Sequence, residues 1–155
     1  MSRHLPAAEM ERLRRLPKAE VHVHLEGCFE PAVLESWAAQ AGVAMPRPRE
    51  RLLQFEGLAD FLHFLDWACG LACTRDRLAE MSYGFSQRLA VSGAGYADII
   101  VNPTHWRAWH GRLREMIEAV DAGFTADVEP EARRVPLDGG PPHRPLAARR
   151  RSSVQ

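Results

Sequence analysis

Two histidines, His22 and His24, stand one residue apart in the run Ala19-Glu20-Val21-His22-Val23-His24-Leu25. That run alternates in the manner of a short strand, where side chains at i and i+2 share a face. Two imidazoles on one face lie about 7 Å apart along the strand and can converge on a single metal ion. The same spacing also suits two ordinary strand histidines, because short H-x-H pairs arise by chance in a chain with 7 histidines. The cysteines offer less. Cys28, Cys69 and Cys73 form no C-x-x-C pair, which argues against a cysteine zinc knuckle. Cys69 and Cys73 read as buried small residues. An odd count suits free thiols in a reducing compartment, so a cytoplasmic location is the expectation. His63 reads as a partly covered structural histidine on an apolar helix. His105 and Asn102 read as loop-capping residues, and Trp106 and Trp109 as packing.

Composition bounds what surrounds these residues. The chain has 155 residues, 46% hydrophobic and 26% charged, with a formal net charge of +0. One modest globular domain fits that length, and the composition is that of a soluble fold. Balanced charge points to neither nucleic acid nor a membrane surface. No apolar run approaches the ~20 residues that span a bilayer. Arg3, Arg12, Arg14 and Arg15 are followed by no apolar stretch, so no secretory signal is expected.

The elements that must position the histidines are legible in order. After the strand, Glu26-Gly27 breaks the pattern and Glu30-Pro31 opens a helix ending at Gly42. A second helix spans about Asp60 to Ala72, apolar nearly all round and so expected to be largely covered. Thr74 is placed to cap a third helix, which Gly93 or Gly95 ends. Tyr96 to Val101 reads as a buried strand stopped by Asn102-Pro103, and Arg112 to Ala122 as a fourth helix. Strand, helices, strand, helix is the start of an α/β unit with parallel strands. Two strands make a poor sheet, so exposed apolar edges and self-association are expected. From Asp127 the residues become Pro- and Arg-rich without period. The reading is therefore residues 1–126 as the folded part and 127–155 as a disordered tail. A flexible tail and a lost reading frame both account for it. A basic tail that binds nucleic acid or is phosphorylated near Ser152 is a third reading.

The run Leu16-Pro17-Lys18-Ala19-Glu20-Val21-His22-Val23-His24-Leu25-Glu26-Gly27 resembles the opening of the adenosine deaminase family of metal-dependent amidohydrolases. Glu30-Pro31, the helix ending at Ala41-Gly42-Val43, Phe61-Leu62 with Leu65, and Tyr96 to Pro103 continue the likeness, which covers roughly Leu16 to Phe124. The resemblance implies an α/β fold, the N-terminal and incomplete part of a (β/α)8 TIM barrel, with one zinc at the C-terminal mouth. By this match His22 and His24 are the first two zinc ligands, and His24 also touches substrate. Glu26 matches an acidic position that bonds the ribose 5′-hydroxyl of a purine nucleoside. Phe61, Leu62 and Leu65 match the apolar helix beside the substrate mouth.

The implied reaction is hydrolytic deamination of adenosine to inosine and ammonia. Adenine or another 6-aminopurine compound is the alternative substrate, and a non-catalytic remnant or binding protein the alternative role. The family's third histidine ligand, its glutamate in an H-A-G-E-like segment, its later histidine and its late aspartate are not in this sequence. No catalytic residue is therefore assigned here, and this chain by itself is expected not to deaminate adenosine appreciably.

Overall fold

A computed structural model describes residues 5–126. The expected 127–155 tail lies outside the described residues. Helix α1 runs Ala7–Arg15, strand β1 Lys18–His24, α2 Pro31–Ala41, α3 Leu58–Leu71, α4 Arg75–Ser92, β2 Ala94–Ile100 and α5 Leu113–Phe124. Single 3-10 turns occupy Leu25–Gly27, Arg49–Arg51 and Arg107–Trp109.

Most element ends follow from local chemistry. Pro31 sits in the first turn of α2, and Gly42 closes that helix at φ 65, a left-handed conformation costly for other residues. Helix α4 begins where the Thr74 hydroxyl accepts the Arg77 N–H at 3.3 Å and ends at Gly93, φ 79. Helix α1 had no counterpart in the sequence reading. It is built from strong helix formers (Ala, Glu, Met, Leu, Arg) and braced by the Glu11–Arg15 pair at 2.9 Å, but it buries no residue. A search for apolar periodicity passes over such a helix.

The strands are parallel. Their register pairs Ala19 with Tyr96, Glu20 with Ala97, Val23 with Ile99 and His24 with Ile100. Strand β1 is not the plain alternation expected. The ladder shifts between Glu20 and Val23, and His22 lies at φ 60. A non-glycine residue there marks a bulge that re-aims the chain.

The core gathers among α2, α3, α4, α5 and the Arg107–Trp109 turn. Leu25, Leu34, Trp37, Leu52, Leu78, Trp106, Trp109 and Met116 are fully buried. The indole N–H groups of Trp37 and Trp109 donate to Glu80 Oε2 (3.0 Å) and the Ala72 carbonyl (2.8 Å). Helix α3 is less covered than its composition implied. It buries Phe64, Leu65, Ala68, Cys69 and Leu71 but leaves Leu58 and Leu62 in solvent.

Arg47 pins the preceding loop to α3 through both Asp60 carboxylate oxygens. That guanidinium, with the Glu56 N–H, holds the Asp60 carboxyl below its ordinary range. A depressed pKa contributes stability that is present above the unfolded value and lost as pH falls through the folded one. The melting temperature should therefore drop between pH 6 and pH 3, and Arg47→Met should show a smaller drop.

The cysteines part company. Cys28 and Cys69 are buried, whereas Cys73 is exposed and not the covered residue expected. Burial pushes the Cys28 thiol up to about 12 and Cys69 upward as well. At pH 8 a disulfide reagent should therefore react promptly with one thiol, Cys73, and with the other two only after unfolding. Fast labelling of two or three thiols in the native chain would contradict this.

Candidate functional site

The parallel register sets the carboxyl ends of β1 and β2 side by side, with His24 opposite Ile100. Directly after β1, the Leu25–Gly27 turn swings Glu26 inward. Its side chain is 1% exposed. Burying a carboxylate is costly unless donors face it. Two do: Oε1 accepts the Asn102 backbone N–H at 2.6 Å and the Trp106 indole N–H at 2.6 Å. Both donors belong to the segment after β2, so one carboxylate oxygen cross-ties the two strand ends. The other oxygen, Oε2, is buried without a hydrogen bond. His24 Nδ1 faces it at 3.6 Å.

The His22 and His24 rings meet edge to face, 5.2 Å between centroids. Both residues are exposed, the His24 side chain by 51%. The structure thus brings His22, His24 and Glu26 together at one end of the sheet. Helix α3 packs against the Glu26 turn and the Arg107–Trp109 turn, at that same end. Of its three expected lining residues, Leu65 is buried in the core, Phe61 is half-buried against Phe55, and Leu62 is exposed.

The donor chemistry fits a zinc-type metal in part. Neutral imidazoles are ordinary zinc ligands, and two adjacent exposed ones supply two of about four positions. Among the described residues no group of three or more His, Cys, Asp or Glu lies close enough to hold an ion.

Several neighbours were not foreseen. Trp106 packs, as expected, but its indole N–H also holds Glu26. His105 is buried, with Nδ1 2.7 Å from Asp66 Oδ1, rather than a loop cap, and Arg107 bonds the other oxygen at 3.2 Å. This pair holds the Asp66 carboxyl below its ordinary range and ties α3 to the segment after β2. His63 is exposed rather than partly covered. Trp106 donates from 80 positions along the chain, and nothing beside Glu26 in the sequence points to it.

A family model described as adenosine deaminase matches residues 17–132. The chain belongs to the adenosine deaminase family. An adenine deaminase of Caulobacter vibrioides is 33% identical over 105 residues, covering 64% of this chain and 30% of that protein. The structure is similar to adenine deaminase from Arthrobacter aurescens, with TM-score 0.60 and 24% identity over 71% of this chain and 35% of that one. It is also similar to an amidohydrolase from Burkholderia ambifaria with bound Zn, at TM-score 0.65 and 23% identity over 80% and 36% of the two chains. This deaminase-family chain therefore spans about a third of the length of the relatives it matches. Its fold is α/β, the N-terminal part of a (β/α)8 barrel. The matched segment holds β1 with its bulge, Glu26 and the whole of β2.

Proposed function

We propose that this chain carries the first two metal ligands and part of the purine wall of a zinc-dependent hydrolase that deaminates a 6-aminopurine, adenine in preference to adenosine. The observation that carries the reading is the meeting of the His22 and His24 imidazoles, exposed, at the carboxyl end of β1. That end of a barrel strand is where barrel enzymes gather their chemistry. His22 and His24 would hold the zinc, which when bound supplies the Lewis acidity that makes water a usable nucleophile near neutral pH. His24 is also assigned contact with the purine, a role its half-exposed side chain at the strand end supports. Phe61 and Leu62 on α3 offer apolar surface for a planar base. General acid–base work is assigned to no residue of this chain.

Two observations favour the free base over the nucleoside. Relatives such as those of Caulobacter vibrioides and Arthrobacter aurescens carry the name adenine deaminase. And Glu26, which by family resemblance would meet a ribose hydroxyl, is turned inward with one oxygen already bonded twice.

The test is complementation. The Caulobacter vibrioides enzyme is prepared without the segment matching this chain, and the chain is supplied separately with zinc. Ammonia release from adenine should be restored by the wild-type chain and fall to background with His22→Ala or His24→Ala. Adenosine should be a poorer substrate. This chain alone, with zinc and adenine, should match the blank. Zinc titration of the chain gives a second readout. Restoration by both histidine variants, with unaltered zinc binding, would sink the reading.

A further inference from the structure

We infer that Glu26 is a positioning residue for His24 rather than a substrate ligand: its Oε2 fixes the imidazole with the proton on Nδ1 and leaves Nε2 to face the metal. The inference rests on the metal reading proposed above for His22 and His24.

Two independent observations carry it. The first is the state of the carboxylate. Glu26 is 1% exposed, Oε1 is saturated by the Asn102 and Trp106 N–H groups, and Oε2 is buried with no hydrogen bond. A buried carboxylate oxygen without a donor is costly, so a neighbouring N–H is strongly favoured there. The second is what faces it. His24 Nδ1 stands 3.6 Å from Oε2, just beyond hydrogen-bond length, while the His24 side chain is 51% exposed on its other side. A few tenths of an ångström of side-chain movement closes that gap.

Glu26 itself cannot move far, because the backbone of Asn102 and the ring of fully buried Trp106 hold its other oxygen. The fixed partner is therefore the acid and the adjustable one the imidazole. A neutral imidazole carries one ring proton, and the nitrogen that keeps it is set by the bond the ring donates. A proton held on Nδ1 leaves the Nε2 lone pair for a cation. Carboxylate support of this kind typically changes metal affinity by about 10–100-fold when lost. Among the described residues the ion pairs give His24 a carboxylate and His22 none, so the two histidines are not equivalent.

The experiment uses the whole 155-residue chain. Long-range nitrogen–proton correlation spectra of the metal-free protein identify the tautomer of each histidine. Zinc titration then compares wild type with Glu26→Gln, Trp106→Phe, His22→Ala and His24→Ala, the fold of each being checked by circular dichroism. The expected result is His24 with its proton on Nδ1 in wild type, a mixed tautomer in Glu26→Gln, and a zinc affinity about 10–100-fold weaker in that variant. Wild-type His24 with its proton on Nε2 would overturn the inference, even if Glu26→Gln failed to fold. So would Glu26→Gln affinity within twofold of wild type while the histidine variants bind weakly, and that outcome leaves the metal reading standing. Zinc binding unchanged by both histidine variants instead removes the metal reading and this inference with it.

Discussion

Replacing Trp106 by alanine is expected to lower the unfolding free energy by about 3–5 kcal/mol, the range for emptying a large buried aromatic site. The residue is 1% exposed and packs beside Phe29, 6.0 Å between ring centroids. Two losses combine. The space left by the indole loses its contacts, and Glu26 Oε1 loses one of its two donors inside the protein. Trp106→Phe keeps most of the bulk and removes only the donor, so its cost should be smaller, about 1–3 kcal/mol. Urea unfolding of the three proteins separates packing from the satisfaction of the carboxylate. A Trp106→Ala chain within about 1 kcal/mol of wild type would show that the cross-tie at the strand ends carries little of the stability.

Gly123→Ala should be nearly as damaging, although it adds a single methyl group. Gly123 lies on α5 against α4. A Cβ there would sit 2.2 Å from the Ala79 carbonyl oxygen and 2.7 Å from the Ser82 Cβ. The obstacle is the backbone of a helix, which cannot turn aside as a side-chain tip can. The two helices must separate, and the expected cost lies at the upper end of overpacking, about 3 kcal/mol. The control is Gly70→Ala on α3, where nothing lies within 4 Å of the new methyl. There the better helix propensity of alanine should stabilise the chain by up to about 1 kcal/mol. Thermal melts of both variants check the pair, and equal melting temperatures would contradict the close approach of α4 and α5.

The legible parts of this fold were those with a periodic or capping signature. Helix α4 announced itself by Thr74 and Gly93, α2 by Pro31 and Gly42, and β2 by an apolar run stopped at Asn102-Pro103. Helix α1 was illegible for the converse reason: it buries nothing, so its evidence lies in propensity alone. In the site, the spacing of His22 and His24 gave the idea of convergence, but not the bulge at His22 that shapes it. Histidine at positive φ has no sequence signature comparable to glycine. Glu26 was singled out by resemblance as a group that meets substrate. Its inward turn depends on Trp106 and Asn102, far along the chain, and no local pattern reports a partner that distant. Cys69 and Cys73 illustrate the same limit. Four residues apart and alike in composition, one is covered and one is bare, because α3 ends between them.

The bond between Glu26 and Asn102 joins residues 76 positions apart in sequence. Closing so long a loop carries an entropic penalty before any pairing of the strands can offset it. The neighbourhood of the two histidines is consequently assembled by contacts of long sequence separation, and such contacts form slowly. Local helices can appear early in folding while this corner is still unmade. A spectroscopic signal from Trp106 would then report arrival at the finished architecture, whereas helical ellipticity would report only its first stages.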